Sequence, residues 1–357
     1  MIENKIIAEL LFKSGLSEKA FTNISWGRFY GRAYSHKIAP LLYKVICNFG
    51  YEQLLPSKIY SLLERTYETT ARKNRGLLNE YNLISGEIEK RELDCVPLKG
   101  IVLRSLYDDP FSRYMSDIDM LIPANQKNAY VQLMEENGYI RKSEDVVLEH
   151  YFGQMHFSKT VDSQKCETVN WDVHTKILLE TKEPMVYGDI KNNRLFEGDG
   201  NEYLKNEVML LMIIESIKKS GESIHRSRIY PDIPLTQIMD LNLFIKKSRI
   251  DWELFFRLSD STDLQCESVF FYTLSCLLDQ SEIPNRIQSK LACYDNRIKD
   301  KWQIEQLDYQ SCIERIFEKN CKWYKYSNFI KEKESYINRI RNLCKKMSAI
   351  AQIDNKK

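Results

Sequence analysis

The chain has 357 residues, of which 43% are hydrophobic and 29% are charged, and its formal net charge at pH 7 is +2. A chain of this length can bury a substantial core and suggests about two domains, whereas the near-zero charge excludes a globally basic surface for nucleic acid. The nine cysteines include no Cys-x-x-Cys pair, which favours reduced thiols and a cytoplasmic protein. The apolar runs are too short for a membrane span or a signal peptide.

Residues 1–92 are predicted to be helical. Apolar side chains at helical spacing predict a short first helix that ends near Gly15 and a long helix over residues 57–93. The aromatic side chains of this region are interpreted as core between packed helices, because side chains of this type at helical spacing are usually buried. We therefore predict an N-terminal helical region over residues 1–92.

Residues 96–123 are the stretch around which the predicted fold is organised. An apolar run over 96–98 is stopped by Lys99-Gly100, a helix-like stretch over 101–107 is broken at Asp109-Pro110, and a second apolar run follows Asp117. This pattern predicts a strand, a glycine turn, a helix, a loop and a second strand.

The next elements complete a small sheet. A helix is predicted over 124–139, followed by two strands over 146–158 and 166–178 that are joined by a hairpin loop at 159–165. The resulting order predicts an α+β fold, in which a small mixed-sheet core over residues 93–200 is flanked by the N-terminal helical region and by a C-terminal helical domain over 201–357.

The C-terminal domain is predicted to contain several helices. They cover residues 205–219, 235–247, 270–278 and 307–350, with a further helix that starts after Asp251 as its N-cap. Residues 220–234 are predicted to be a loop. The segment from 319 to 357 has eleven Lys or Arg against three Asp or Glu, so contact with nucleic acid is possible, but a solvated helix face is the favoured interpretation.

Two carboxylates at the start of the second strand are the strongest functional signal. Alternate side chains of a strand face the same way, so Asp117 and Asp119 project on one face while Ile118 faces the core. Two carboxylates at this spacing repel each other, and a divalent cation between them removes the repulsion. Mg²⁺ prefers such oxygen ligands, so both residues are predicted metal ligands.

A third carboxylate is predicted on the last strand of the core. Asp172 and His174 share one face, whereas Trp171 and Val173 share the other, and the large apolar residues require the buried face. Asp172 is therefore a candidate metal ligand, with a structural pairing to Lys or Arg as the alternative. His174 is predicted to be a hydrogen-bond partner or substrate contact, because Mg²⁺ favours oxygen.

Two basic residues are candidates for phosphate binding. Lys99 ends a strand ahead of a helix, where backbone N–H groups attract phosphate, and Gly100 permits close approach of a triphosphate. Arg113 is suited to clamp phosphate oxygens, although pairing with Asp108 or Asp109 is the alternative.

Together these motifs carry a resemblance to a known group of proteins. Lys99-Gly100, Tyr107, Pro110, Arg113 and residues 117–121 resemble a poorly characterised bacterial nucleotidyltransferase-like family of the DNA polymerase-β-type nucleotidyltransferase superfamily. The resemblance is strongest over residues 93–176. Lys99-Gly100 stands where the wider superfamily usually has Gly-Ser or Gly-Gly, and its gap to the first Asp is longer.

The resemblance implies a metal-dependent transfer of NMP from an NTP, such as ATP, to an acceptor, with release of pyrophosphate. It implies two Mg²⁺ ions, or Mn²⁺, held by the three carboxylates. It also implies a nucleotide site that includes Ser116, directly before the first Asp, together with Lys99, Gly100, Arg113 and His174. The acceptor is a small molecule, peptide or protein that the sequence does not identify.

Two other classes of function stay open. A glycosyltransferase also uses Asp-x-Asp to bind a sugar nucleotide, but it needs a large α/β region before this motif, where the sequence predicts helices. A non-catalytic nucleotide-binding or partner-binding module is the second alternative, and the presence of all three carboxylates disfavours it. Walker, GxGxxG, HExxH, GxSxG and kinase motifs are absent from the sequence.

Overall fold

The structure, a computed structural model, describes residues 2–13, 15–141, 153–162, 167–178, 184–197, 203–221, 233–302, 304 and 306–317. The region before the sheet is helical, as predicted. Its four α-helices are α1 (Ile2–Phe12), α2 (Trp26–Ser35), α3 (Ala39–Phe49) and α4 (Ser57–Lys90). The long predicted helix is therefore present as α4.

The core is a five-stranded mixed sheet. Its strands are β1 (Val96–Leu98), β2 (Ile118–Leu121), β3 (Ile140–Arg141), β4 (Gln154–Asp162) and β5 (Glu167–His174). The spatial order is β1-β2-β5-β4-β3, with β2 and β5 parallel and the other pairs antiparallel. Helices α5 (Gly100–Leu103) and α6 (Lys127–Glu136) follow β1 and β2. The predicted α+β fold with a small mixed sheet is confirmed.

Two predicted boundaries in the core are wrong. The helix after β1 ends at Leu103 and continues as a 3₁₀ turn to Leu106, and Tyr107 is extended with a buried side chain. The predicted hairpin loop is shorter, because residues 159–162 continue β4 and pair with the start of β5. Residues 146–152 and 163–165 lie outside the described residues.

The part after the sheet adds short hairpins and further helices. Strand β6 (Lys176–Ile177) pairs with β7 (Met185–Val186), and β8 (Phe196–Glu197) pairs with β9 (Tyr203–Leu204). The helices are α7 (Tyr187–Asn192), α8 (Asn206–Gly221), α9 (Leu235–Lys247), α10 (Trp252–Ser261), α11 (Gln265–Asp279), α12 (Asn285–Trp302) and α13 (Tyr309–Phe317).

Most C-terminal helices match the predictions. Asp251 caps α10 by accepting hydrogen bonds from the backbone N–H groups of Glu253 and Leu254. Helix α12 was missed, because its many charged residues obscure the spacing of its few apolar ones. The basic segment 319–357 and most of the predicted loop at 220–234 lie outside the described residues, and the region boundaries at 92 and 200 stay predictions.

The two faces of the sheet enter different apolar clusters. Ile118, Met120, Trp171 and Val173 are buried in a cluster formed with α6 and the second half of α4. On the other face, Leu121 belongs to a larger cluster that includes the N-terminal and C-terminal helices. Asp119 and His174 are on this second face, so the polar residues of the core point toward the flanking helical regions. In the described part of the chain, no helix meets the length and apolarity of a membrane-crossing segment.

Candidate active site

Three polar side chains meet on adjacent parallel strands. Asp119 of β2 is the register partner of Asp172 of β5, and Leu121 is the partner of His174. One potential ligand atom from each of Asp119, Asp172 and His174 lies within 4.8 Å of the other two. The parallel pairing of β2 with β5 therefore brings together carboxylates that are 53 positions apart in the sequence.

Asp119 is buried and holds two hydrogen bonds on one oxygen. Its Oδ1 accepts from Lys99 Nζ at 2.6 Å and contacts His174 Nε2 at 3.0 Å. Burial opposes the ionised form, but the Lys99 ammonium and the His174 hydrogen bond outweigh it and hold the pKa of Asp119 below its usual range. Among the described residues, no hydrogen bond ends on Oδ2, so this oxygen can face a cation.

His174 is a neutral partner of Asp119. Burial and the nearby Lys99 ammonium lower its pKa, despite the opposing hydrogen bond to Asp119. An ionised carboxylate only accepts hydrogen bonds, so we assign the imidazole proton to Nε2. His174 thereby orients Asp119, in line with the hydrogen-bonding role predicted from the sequence.

Asp172 is held from the neighbouring strand. Gln154 Nε2 donates to its Oδ2 at 3.0 Å, and His156 Nδ1 lies 2.7 Å from its Oδ1. Both partners belong to β4, where they alternate toward the face of Asp172. Lys and Arg are not among these partners, which differs from the structural pairing considered above. Gln154 and His156 were missed, although their two-residue spacing resembles that of Asp172 and His174.

Asp117 lies just before β2, is half-buried, and lines one cleft together with Asp119 and Asp172. Burial raises its pKa, and the charges of Asp119 and Asp172 raise it further. Asp117 is not part of the compact set of three donors. The repulsion among these carboxylates and their oxygen-rich chemistry fit a hard divalent cation such as Mg²⁺ or Mn²⁺.

Lys99 has an unusual backbone conformation. Its φ is +44° and its ψ is −117°, in a region that L-residues rarely occupy. Its carbonyl oxygen accepts hydrogen bonds from Val102 and Leu103 at the start of α5. Burial opposes its charged form, but Asp119 outweighs burial and raises the pKa of Lys99. The turn therefore directs a charged ammonium group into the carboxylate cluster.

Arg113 is buried in an ion pair that the sequence did not predict. Its Nε and Nη2 donate to the two carboxylate oxygens of Asp240 on α9, each at 2.7 Å. Tyr107 also donates to Asp240, at 2.8 Å. The alternative of pairing with Asp108 or Asp109 is wrong, because Asp240 occupies the guanidinium. Phosphate binding by Arg113 stays a prediction, and its contacts indicate a structural contribution as well.

Gly100 is tightly enclosed by Arg113. A Cβ at this position would lie 3.0 Å from Arg113 Nη1 and 3.5 Å from two atoms of Met115. Because Asp240 fixes the guanidinium, we expect Gly100→Ala to lower the free energy of unfolding by about 1–3 kcal/mol through overpacking. Gly86→Ala is a matched control in the interior of α4, where a Cβ meets nothing within 4 Å.

Thermal unfolding of the two glycine variants tests this contact. Gly86→Ala should stabilise the helix by roughly 0.5–1 kcal/mol, because alanine loses less backbone entropy than glycine. Equal effects of the two substitutions would contradict the predicted crowding at Gly100.

Asp117, Asp119 and Asp172 line a cleft with a volume of about 340 Å³. Lys99, Gly100, Arg113 and Ser116 also line it, so the structure brings most of the predicted residues to one place. Tyr114 and Met115, between Arg113 and Ser116, belong to the lining as well. Residues from distant parts of the sequence form the rest: Lys37, Ser216, Lys219, Ser220, Pro234, Thr236, Gln237 and Asp240. Sequence reasoning missed Lys37, Lys219 and Asp240 because no local motif marks them.

A small mixed sheet with paired carboxylates on neighbouring strands, set at a cleft between helical regions, defines a nucleotidyltransferase-type core. The comparison with family models agrees. The chain belongs to a family described as "Uncharacterised nucleotidyltransferase", whose model matches residues 22–278. This match extends well beyond the sheet into the helices on both sides. No curated protein and no solved structure matches the chain.

Proposed function

We propose that the protein is a metal-dependent nucleotidyltransferase that moves NMP from an NTP to an acceptor and releases pyrophosphate. The observation that carries this proposal is the pairing of Asp119 and Asp172 on parallel strands, within a cleft of a chain that belongs to a nucleotidyltransferase family. A glycosyltransferase is less well supported, because the described residues before β1 form helices and not an α/β nucleotide-binding region.

Asp117, Asp119 and Asp172 are the residues that we assign to Mg²⁺, with Mn²⁺ as the alternative. When bound, the ions would neutralise the triphosphate and favour deprotonation of the attacking group. His174 holds Asp119 in place, and Gln154 with His156 holds Asp172.

The remaining residues act on the phosphates. Lys99 carries its charge beside Asp119, where it can stabilise negative charge on a phosphoryl group. Gly100, Ser116 and Arg113 also line the cleft and complete the proposed nucleotide site. In the reaction an acceptor oxygen forms a bond to the α-phosphorus, the bond from that phosphorus to the bridging oxygen breaks, and pyrophosphate leaves.

Incubation of the purified protein with each labelled NTP, Mg²⁺ and a cell extract tests the proposal. We expect metal-dependent transfer of label to one acceptor, and mass spectrometry of the product identifies both the NMP and the acceptor. A parallel reaction with labelled UDP-sugars and Mn²⁺ tests the glycosyltransferase alternative. Nucleotide binding of equal strength with and without metal would contradict the proposed role of the carboxylates.

Asp172→Asn is expected to affect turnover more than substrate binding. Asp172 lies beside Asp119 in the compact donor set, and the amide removes one charge while it keeps an oxygen for the neighbouring strand. We expect a loss in turnover of roughly a hundredfold or more, from the loss of a few kcal/mol of transition-state stabilisation, with little change in NTP affinity.

Initial rates and titration calorimetry separate these two effects of Asp172→Asn. Glu167→Gln is the matched control. Glu167 is on the same strand as Asp172, and its carboxylate pairs with the exposed Arg72. A large loss of NTP affinity with an unchanged turnover of bound substrate would assign Asp172 to binding instead.

A further inference from the structure

A turn from the N-terminal helical region contributes to the lining of the cleft. His36 and Lys37 directly follow α2. Hydrogen bonds from α9 hold this turn in place. Thr236 Oγ1 donates to the carbonyl oxygens of His36 and Lys37, at 2.9 and 3.1 Å. The backbone N–H of Leu235 donates to His36 Nδ1 at 3.3 Å. Contacts between residues about 200 positions apart therefore fix Lys37 at the cleft.

Lys37 has a left-handed backbone conformation. Its φ is +59°, which is uncommon for a side chain that is not glycine, asparagine or aspartate. Such conformations persist where surrounding contacts determine them, and they occur often at ligand sites. The Lys37 ammonium lies 4.6 Å from the ring centre of Tyr114, which is three residues before Asp117. The turn thus brings a cation into the lining of the cleft, beside Tyr114.

A second cation reaches the same cleft from the other helical region. Lys219 is exposed in the last turn of α8 and lines the cleft together with Ser216 and Ser220. Lys73 of α4 also lies over the Tyr114 ring, at 5.7 Å. We call Lys37, Tyr114 and Lys219 the basic wall. One cleft therefore holds both the three carboxylates and two lysines.

This distribution of charge fits a ligand that needs metal ions at one end and ammonium groups at the other. A nucleoside triphosphate has this character, because its negative charge and that of the carboxylates together exceed the positive charge of two divalent cations. The cleft volume of about 340 Å³ is within the range of small-molecule sites. We propose that the basic wall binds the β- and γ-phosphates of the NTP, while the reacting α-phosphate lies at Asp117, Asp119 and Asp172. This inference rests on the proposed nucleotidyltransferase function.

Lys37→Met and Lys219→Met test the basic wall by titration calorimetry with each NTP, the matching NMP and inorganic tripolyphosphate, all with Mg²⁺. Each variant should weaken NTP and tripolyphosphate binding by about 10- to 100-fold, as expected for the loss of a charged hydrogen bond, and should leave NMP affinity nearly unchanged. Lys37→Arg should restore most of the affinity. Lys218→Met is the matched control, because Lys218 is the neighbour of Lys219 on α8 but is not part of the cleft lining.

The outcomes separate this inference from the function on which it rests. NTP binding by the wild-type protein, with equal affinity in Lys37→Met, Lys219→Met and Lys218→Met, would overturn the basic wall and leave the nucleotidyltransferase proposal intact. Unchanged NTP affinity with a raised KM for the acceptor would also overturn it, and would assign the lysines to an anionic acceptor. If the wild-type protein binds no NTP, both proposals fail. Melting temperatures near that of the wild type show that the variants are folded.

Discussion

Asp119→Asn is expected to reduce NMP transfer by on the order of a thousandfold, because it removes a carboxylate that we assign to the metal ions. The structure explains why this substitution changes the charge of the site without disturbing its hydrogen bonds. Both hydrogen bonds of Asp119, from Lys99 and His174, end on Oδ1, and an amide keeps one oxygen that can accept them. The variant therefore loses the charge and the second oxygen while it retains the local contacts.

Metal-dependent NTP binding and steady-state rates measure the effect of Asp119→Asn. Asp108→Asn is the control, because Asp108 is on the connection that leads into β2 but its side chain is 85% exposed and pairs with Lys247 at the surface. We expect the control to keep its activity. An Asp119→Asn protein with Mg²⁺-dependent binding and turnover near those of the wild type would exclude Asp119 as a metal ligand.

Arg113→Met is expected to cause the largest loss of stability, about 3–5 kcal/mol, because it leaves the Asp240 carboxylate buried without its ion partner. Of its hydrogen bonds with the described residues, Asp240 would keep only the one from Tyr107. Burial and the Asp240 charge raise the pKa of Tyr107 well above its ordinary value, so its hydroxyl stays protonated, but a neutral donor does not compensate the charge. Chemical denaturation measures the loss.

A second ion pair between the same parts of the chain provides the control for Arg113→Met. Lys247, also on α9, pairs with the exposed Asp108 at 3.0 Å. Removal of an exposed pair changes stability by about 0–1 kcal/mol, so Lys247→Met should have a small effect. The double variant Arg113→Met with Asp240→Met should recover part of the loss, because no unpaired charge remains buried. Equal losses for Arg113→Met and Lys247→Met would contradict this view of the buried pair.

The parts of the site that follow from local periodicity were predictable from the sequence. In a strand, the burial of Trp171 and Val173 fixes the direction of Asp172 and His174, and the sequence shows this alternation directly. The turn at Lys99-Gly100 likewise follows from a short apolar run that a glycine ends. These features depend on neighbours within a few residues, so they do not require knowledge of the tertiary fold.

The partners across the cleft could not be predicted in this way. Asp240 meets Arg113 from 127 positions away, and the lysine turn at residue 37 meets Thr236 from nearly 200. A single sequence contains no local signal for such contacts, because helix packing alone determines them. The pairing of β4 with β5 was only partly predictable. The sequence indicates the hairpin, but its register, which places Gln154 and His156 beside Asp172, depends on the bulge near residues 160–162.

The backbone at Lys99 has a consequence for how this chain can change. A non-glycine residue at φ +44° carries strain of about 1–3 kcal/mol, and a glycine there would relieve it. Relief would also remove the ammonium group that contacts Asp119. We therefore expect laboratory selection for thermal stability to favour glycine at residue 99, and selection for catalytic activity to retain lysine. A consensus or thermostabilising design that scores folding alone would choose glycine at residue 99. The designed protein would be more stable, but it would lose the ammonium group of the cleft and the activity that depends on it.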